Sequence, residues 1–385
     1  MINNEQQFVL DALRTALKVK ADELTAWRNV ALNADIIARI ILRNGILLTA
    51  YPVLTAFSEL KNALQDRYFA AIKQAVEQDY YGRMILLALN NASFDCIALK
   101  GWELRKLYPE ITMRQMADLD ILIRPYDYRR INDCLLCLGF QGDSTESSWM
   151  HDKFSKNFTT LETHKRLTDD SGAIQEWERH MWEHVVHTDD GDHIFCMSNE
   201  DFYIFHIVHM HKDFLNGALG LRRIADTWLF THTHSQMDQK YLTDAFDKMG
   251  LSLFAERMIT LSKAAMGEIE MDENSEIMLI HAFQHGIYGS DKSYKLGRIA
   301  TMSSGNLKKG KLHSLVAAIF LPYSRMKAHF PILQKWPILL PMFWIKRICR
   351  HLHGDLKKKK QMLTYSNLDE EDYKTVKEFF SAGGV

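Results

Sequence analysis

Apolar residues along this chain recur at helical spacing near both ends and gather into short unbroken runs in between. Leu10, Leu13 and Leu17 lie three and four positions apart, as one face of an amphipathic helix requires. Ile36, Ile37, Ile40, Ile41 and Leu42 continue the pattern, followed by Leu60, Leu64, Phe69, Ile72 and Ala75. The spacing predicts a helical lobe over residues 1–90. From residue 91 the period changes. Phe94 to Leu99 and Ile121 to Ile123 are apolar runs of the kind that form buried strands, and Trp102 to Leu107 has helical residue types. Tyr128, Ile131, Leu135 and Leu138 predict a helix that Gly139 stops, with Phe140 starting the next strand. Residues 142–155 are polar and read as a loop. Asn157 to His164 alternates apolar and polar residues of β-forming type, which predicts a strand. From about 174 the chain reads as helical to its end, with Ser198 as the cap of one helix and Asp201 three residues on. Three regions follow: 1–90 helical, 91–172 mixed, 173–385 helical.

The chemistry concentrates in the middle region, at Asp118-Leu119-Asp120 ahead of Ile121-Leu122-Ile123. On a strand, residues i and i+2 share a face. Asp118 and Asp120 therefore project side by side, while Leu119 and Ile121 point into a core. Two carboxylates that close repel one another unless a cation lies between them. A hard cation such as Mg2+ takes oxygen ligands and commonly shares them with substrate phosphates. Upstream, Lys100-Gly101 sits where a strand passes into a helix. A glycine there lets backbone N–H groups approach a phosphate, and the helix N-terminus favours an anion. Lys100, Arg105 and Arg114 add positive charge on either side. Without that context, an Asp-x-Asp is as readily an exposed acidic pair on a plain strand.

Leu99-Lys100-Gly101, Tyr108-Pro109, Arg114 and Asp118-Leu119-Asp120-Ile121-Leu122 together resemble an uncharacterised bacterial branch of the nucleotidyltransferase superfamily, of DNA polymerase beta-like fold. The resemblance implies an α+β fold: a small mixed β-sheet nucleotidyltransferase core with large N- and C-terminal helical regions. It implies transfer of an NMP from an NTP to an acceptor hydroxyl with Mg2+. Asp118 and Asp120 become catalytic metal ligands, and Lys100, Gly101 and Arg114 become nucleotide-binding. It also singles out Glu162 as the third carboxylate, with His164 beside it. Read from the residues alone, Glu162 is a solvent-facing strand residue. Leu221-Arg222-Arg223-Ile224-Ala225-Asp226 also matches the branch, and its basic pair reads either as a phosphate contact or as a solvated helix face. Two departures stand: Trp102 occupies a position that is usually Ser, and the 17 positions from Gly101 to Asp118 exceed the usual gap.

Composition narrows the picture further. The 385 residues are 47% hydrophobic and 25% charged, enough for a sizeable core in a globular protein. A net charge of −1 gives no strong nucleic-acid signal over the whole chain. The start of the sequence lacks the basic and apolar regions of a signal peptide. No uncharged apolar run approaches the ~20 residues of a transmembrane segment. Five cysteines make no secreted framework, which leads to a cytoplasmic expectation. Cys134 and Cys137, spaced C-x-x-C within a helix, read as small core residues. The partners expected are an NTP and an acceptor, whether a small molecule, a peptide or a protein.

Two other readings stay open. One is a catalytically degenerate module that binds a nucleotide or a partner through the same cleft. The other is a metal-dependent hydrolase using His206 and His209, which share a helix face while His211 turns away; core histidines are the simpler reading. Residues 284–312 carry five glycines and read as a loop or lid. The aromatic, basic stretch over 314–352 reads either as an interfacial membrane helix or as an internal core segment with a solvated basic end. Its prolines favour the second.

Overall fold

The structure is a computed structural model that describes residues 2–20, 23–142, 150–168, 172–302, 320–321, 323, 326–327, 330, 332–353 and 370–385. Backbone contacts divide it into two compact units, one of residues 1–212, 219–288 and 382–385, the other of 213–218 and 289–381. The first unit opens with helices α1 (Asn4–Ala16), α2 (Ala34–Arg43), α3 (Leu47–Leu54) and α4 (Ser58–Asn91). These are the helices the periodicity predicts. Their starts are chemically marked. Asn3 forms a capping box with Gln6, and Asn33 caps α2 by accepting from the Ile36 N–H.

Strands β1 (Cys96–Ala98), β2 (Leu119–Ile123), β3 (Gln141–Gly142), β4 (His151–Lys156), β5 (Thr159–His164), β6 (Val186–Thr188) and β7 (Gly191–Cys196) make one mixed sheet. Their order is β3-β4-β5-β2-β1-β7-β6. Between the strands lie α5 (Gly101–Leu104), α6 (Tyr128–Cys137) and α7 (Ala173–His180). The fold is α+β, as expected. Leu119, Ile121 and Ile123 of β2, Leu161 of β5 and Ile194 of β7 join Ile85 and Leu89 of α4 and Ile131 and Leu135 of α6 in one buried core. One face of the sheet is thereby committed to packing, and the period of two sends Asp120 and Glu162 to the other.

The differences from the sequence-based expectations have local causes. The polar stretch expected as a loop contains β4, whose Lys153, Ser155 and Lys156 hide it. Its strand character comes from pairing along the whole length of β5 rather than from apolar side chains. Residues 143–149 lie outside the described residues. The helical reading of everything after 173 misses β6 and β7, a hairpin closed at Asp189-Asp190 ahead of Gly191, so the sheet extends beyond the 91–172 span. The hairpin is rich in Asp and His, which masks its alternation, and β7 is held by parallel pairing to β1.

Helices α8 (Asn199–Leu215), α9 (Leu221–Thr233), α10 (Gln239–Met249), α11 (Ser252–Ala265), α12 (Glu273–His285) and α13 (Asp291–Met302) follow. The last replaces part of the expected glycine-rich loop; Gly305 and Gly310 lie outside the described residues. Cys134 packs against the core cluster and Cys137 is exposed. Among the described residues no helix is long and apolar enough to cross a membrane.

Trp102 fits because α4 has no side chain at Gly82. A Cβ there would come within 2.0 Å of the indole Cζ3. The Arg105 guanidinium covers the ring at 3.7 Å and is itself held by Asp79 at 2.7 Å. Overpacking a core of this density costs about 1–3 kcal/mol. Gly82→Ala is therefore expected to lower unfolding free energy in urea by about that amount, and Trp102→Leu in the same chain to recover part of the loss.

Candidate active site

The site is assembled by strand register. β2 and β5 run parallel with Asp120 beside Glu162 and Leu122 beside His164. β1 runs antiparallel to β2, and past its end the Leu99 N–H donates to the Asp120 carbonyl at 2.9 Å. The next residue, Lys100, adopts φ +42° and ψ −109°. That backbone costs a residue with a Cβ about 1–3 kcal/mol and persists only where its surroundings over-determine it. Here N–H donations from Trp102 to the Leu99 carbonyl and from Leu104 to the Lys100 carbonyl close the turn into α5. The turn brings the Lys100 Nζ to 3.1 Å from Asp120 Oδ1.

Gly101 thus serves a different need from the one a glycine at such a turn suggests. Lys100, not Gly101, carries the positive φ. Gly101 supplies room, since a Cβ there would stand 2.8 Å from both Arg114 Nη1 and Met116 Sδ.

Asp120 is buried and receives contacts from two basic side chains. His164 Nε2 lies 2.7 Å from its Oδ1, and Lys100 provides the other. The same His164 nitrogen is 3.5 Å from Glu162 Oε2, and His151 Nε2 stands 3.9 Å from that oxygen. His164 Nδ1 is buried without a hydrogen-bond partner among the described residues, which assigns the proton to Nε2. Asp120, Glu162 and His164 place one ligand atom each within 4.8 Å of one another, the one such cluster of three or more metal-ligating groups among the described residues.

The electrostatics separate the carboxylates. Burial alone would raise the Asp120 carboxyl, but Lys100 and His164 overcome it and hold the group far below the usual carboxylate range. Glu162 is lowered by its hydrogen bond with His164. Asp118 is half-buried and lies outside the 4.8 Å cluster. Burial, then the neighbouring Asp120 charge, push it up to about 6. Burial works to lower His164, yet its bonds to Asp120 and Glu162 win and raise it. Three carboxylates around a lysine and an imidazole are a donor set that attracts positive charge, and oxygen donors of this kind suit a hard divalent cation. The ligand atoms of Asp120, Glu162 and His164, all within 4.8 Å of one another, fit a metal ion.

Arg114 is placed elsewhere. Its Nε and Nη2 donate to Asp226 Oδ1 and Oδ2, both at 2.7 Å, in a bidentate pair that is buried on both sides. Tyr108 Oη donates to the same carboxylate at 2.9 Å. Two of the three guanidinium nitrogens are therefore committed to α9 rather than turned to the carboxylate cluster. Arg222, also on α9, donates to the Gln115 carbonyl at 2.5 Å, so it is not a solvated helix residue. Thr49 Oγ1 donates to the Met113 carbonyl at 2.7 Å, and Gln78 Nε2 to the Met116 and Ala117 carbonyls at 3.4 Å. Helices α3, α4 and α9 thus all grip the loop leading into the Asp pair.

The structure brings together Asp120, Lys100 and Glu162, the last singled out by the resemblance, and leaves Asp118 outside the 4.8 Å cluster. No sequence signal marks His151 as a neighbour of Glu162 or Asp226 as the partner of Arg114. His151 lies in β4, whose polar sequence hides the strand. Asp226 closes the matched Leu221–Asp226 segment, which marks the residue but not its partner. His206 is buried, hydrogen-bonded to Thr227 Oγ1 at 2.9 Å, and pushed down to about 3 by burial. It is a neutral core histidine, and neither it nor His209 belongs to the metal-ligating cluster.

The sequence model of a protein family described as "Uncharacterised nucleotidyltransferase" matches residues 32–267. That span contains the sheet, α4 and the helix bearing Asp226. No curated protein and no solved structure matches the chain.

Two stability effects follow from this geometry. Asp226→Asn leaves the buried Arg114 charge uncompensated, which costs about 3–5 kcal/mol; urea unfolding should show that loss, with a smaller one when Arg114 is also replaced by Met. Asp118 gives an opposite kind of signature. Its folded-state pKa of about 6 exceeds the ordinary 3.8, so the native state holds this proton more tightly than the unfolded chain. Its contribution to stability is therefore greatest at low pH and declines as pH rises towards and through about 6. In metal-free protein, Asp118→Asn should flatten the dependence of melting temperature on pH across that window.

Proposed function

This chain belongs to the uncharacterised nucleotidyltransferase family, and from that premise we propose that it transfers a nucleoside monophosphate from an NTP to a hydroxyl of an acceptor. The observation that carries the reading is the register that sets Asp120 beside Glu162 on parallel strands, with the Lys100 turn directly above them. Asp118, Asp120 and Glu162 would hold Mg2+. The ion, when bound, would neutralise the developing charge of an in-line phosphoryl displacement and lower the pKa of the attacking hydroxyl.

The chain's own residues do the rest. Lys100 and the backbone of the Gly101 turn receive the triphosphate. Lys100, now 3.1 Å from Asp120 Oδ1, would be free to turn its ammonium to a phosphate oxygen if the carboxylates held a metal ion. Glu162 is the more approachable acid, its side chain 18% exposed against 5% for Asp120. It accepts the hydroxyl proton as the new O–P bond forms and the bond to pyrophosphate breaks. Asp120 stays ionised throughout because His164 remains bound to it. Arg114 acts in this reading through the loop it anchors, since its guanidinium is paired with Asp226. Such a site gains its rate mainly from positioning and fixed charge. The acceptor is a small molecule, a peptide or a protein bearing a hydroxyl.

A second reading, a nucleotide- or partner-binding module without turnover, is favoured by one observation. Lys100 and His164 already neutralise Asp120 from within the protein.

Melting temperatures with each of the four NTPs, with and without Mg2+, separate the readings when combined with pyrophosphate release. A native-state ligand raises stability by mass action. We expect an NTP-dependent rise that requires Mg2+ and is absent in Asp120→Ala. Pyrophosphate release should fall by a factor of about 100 or more in that variant, as for loss of a key electrostatic group. Stabilisation without pyrophosphate release in the presence of candidate acceptors would support the second reading. No shift with any NTP would overturn the transfer reading and leave only a partner-binding form of the second.

A further inference from the structure

The second compact unit carries a surface that transfer chemistry does not use. A small core buries Met326, Leu333 and Phe343, with Leu339, Leu340 and Trp344 packed around it. Its orientation is fixed by Tyr323 Oη donating to the Leu333 carbonyl at 2.8 Å and by Trp344 Nε1 donating to the Leu321 carbonyl at 2.9 Å. With that inner face filled, the outer side of the same segment is apolar and, among the described residues, exposed. Trp336 is 61% exposed, Ile338 83%, Met342 52% and Ile345 61%. Ile338, Met342 and Ile345 fall at i, i+4 and i+7, the spacing of one helix face, along the helix Leu340–His353 and the turn that leads into it. The segment expected as internal core is therefore core on one side only.

Charge selects what covers the other side. Lys335 and Lys346 are exposed beside the apolar row. From Phe320 to His353 the sequence holds six Lys and Arg and no Asp or Glu. From 292 to 368 it holds sixteen Lys and Arg against the single acid Asp355, in a chain whose totals are 47 and 48. The near-neutral net charge thus conceals a strongly basic segment.

We propose that this face docks on a lipid bilayer surface bearing anionic headgroups. A helix of 14 residues is too short to span a bilayer and lies in its plane, with aliphatic side chains in the acyl boundary and lysines among the headgroups. Trp336 suits the headgroup level, where indoles concentrate. Apolar insertion and a basic field are the two weak signals that together make peripheral attachment stable and reversible. Single-stranded nucleic acid would use the same charges, but it stacks its bases on aromatic rings. Of the exposed apolar side chains Trp336, Ile338, Met342 and Ile345, three are aliphatic or thioether.

Sedimentation of the full chain with vesicles tests this. We expect binding to vesicles of phosphatidylcholine mixed with phosphatidylglycerol, and binding at least about tenfold weaker to phosphatidylcholine alone or at high salt. Ile338→Ser with Ile345→Ser should lower binding to the mixed vesicles at least about tenfold, with an unchanged melting temperature because both side chains are exposed. Lys335→Glu with Lys346→Glu should remove the preference for the anionic lipid. Absence of binding to either vesicle overturns the proposal. So does binding that survives the double serine substitution, or single-stranded RNA that binds wild type and the serine variant alike and strips both from vesicles.

Discussion

Three carboxylates cannot share one end of a sheet without positive charge among them. That constraint organises the structure around β2 and β5. Asp120 is buried and ionised because Lys100 and His164 both reach the same oxygen. The cost of desolvating the acid is offset by charge-assisted hydrogen bonds, whose strength rises where water is excluded. The imidazole reaches both acids from one nitrogen, so a single side chain ties β2 to β5 at the point where their charges would separate them. Asp118, with neither partner at hydrogen-bonding distance, bears the remaining repulsion and is the carboxylate whose proton is held most tightly.

This arrangement needs an immobile loop ahead of β2, and the helical parts of the first unit supply it. The loop's carbonyls are gripped by Thr49 from α3, Gln78 from α4 and Arg222 from α9. Arg114 and Tyr108 meet on Asp226, a carboxylate with no exposed surface. A buried bidentate pair of this kind adds less net stability than its contacts suggest, because both charges lose their water. What it contributes is a fixed register between the loop and α9. The helices on either side of the sheet are in this sense part of the site.

The turn at Lys100 accommodates a large side chain next to Gly101 in a way the packing explains. The position after Gly101 is a tryptophan, and its ring is accommodated by Gly82 and capped by Arg105. The large side chain is turned into the core. The strained backbone of Lys100 then aims its ammonium at Asp120.

The residues by themselves determined the helical lobe, the acidic strand and the face on which its acids project, because these depend on local periodicity. Asp120 on one side with Leu119 and Ile121 on the other follows from a period of two, while Asp118 precedes β2. The resemblance of residues 99–122 to a nucleotidyltransferase branch added Glu162, which no local pattern distinguishes from a surface acid. Only the tertiary structure decided the rest. β4, β6 and β7 are strands because of the strands beside them, and their polar sequences conceal it. The assignment of Arg114 to Asp226 joins residues 112 positions apart, and the value of that contact lies in burial, which a sequence does not display. The division of the Trp336–Ile345 segment into a packed side and a bare side was equally invisible, since both sides are apolar and only the partners available in space distinguish them.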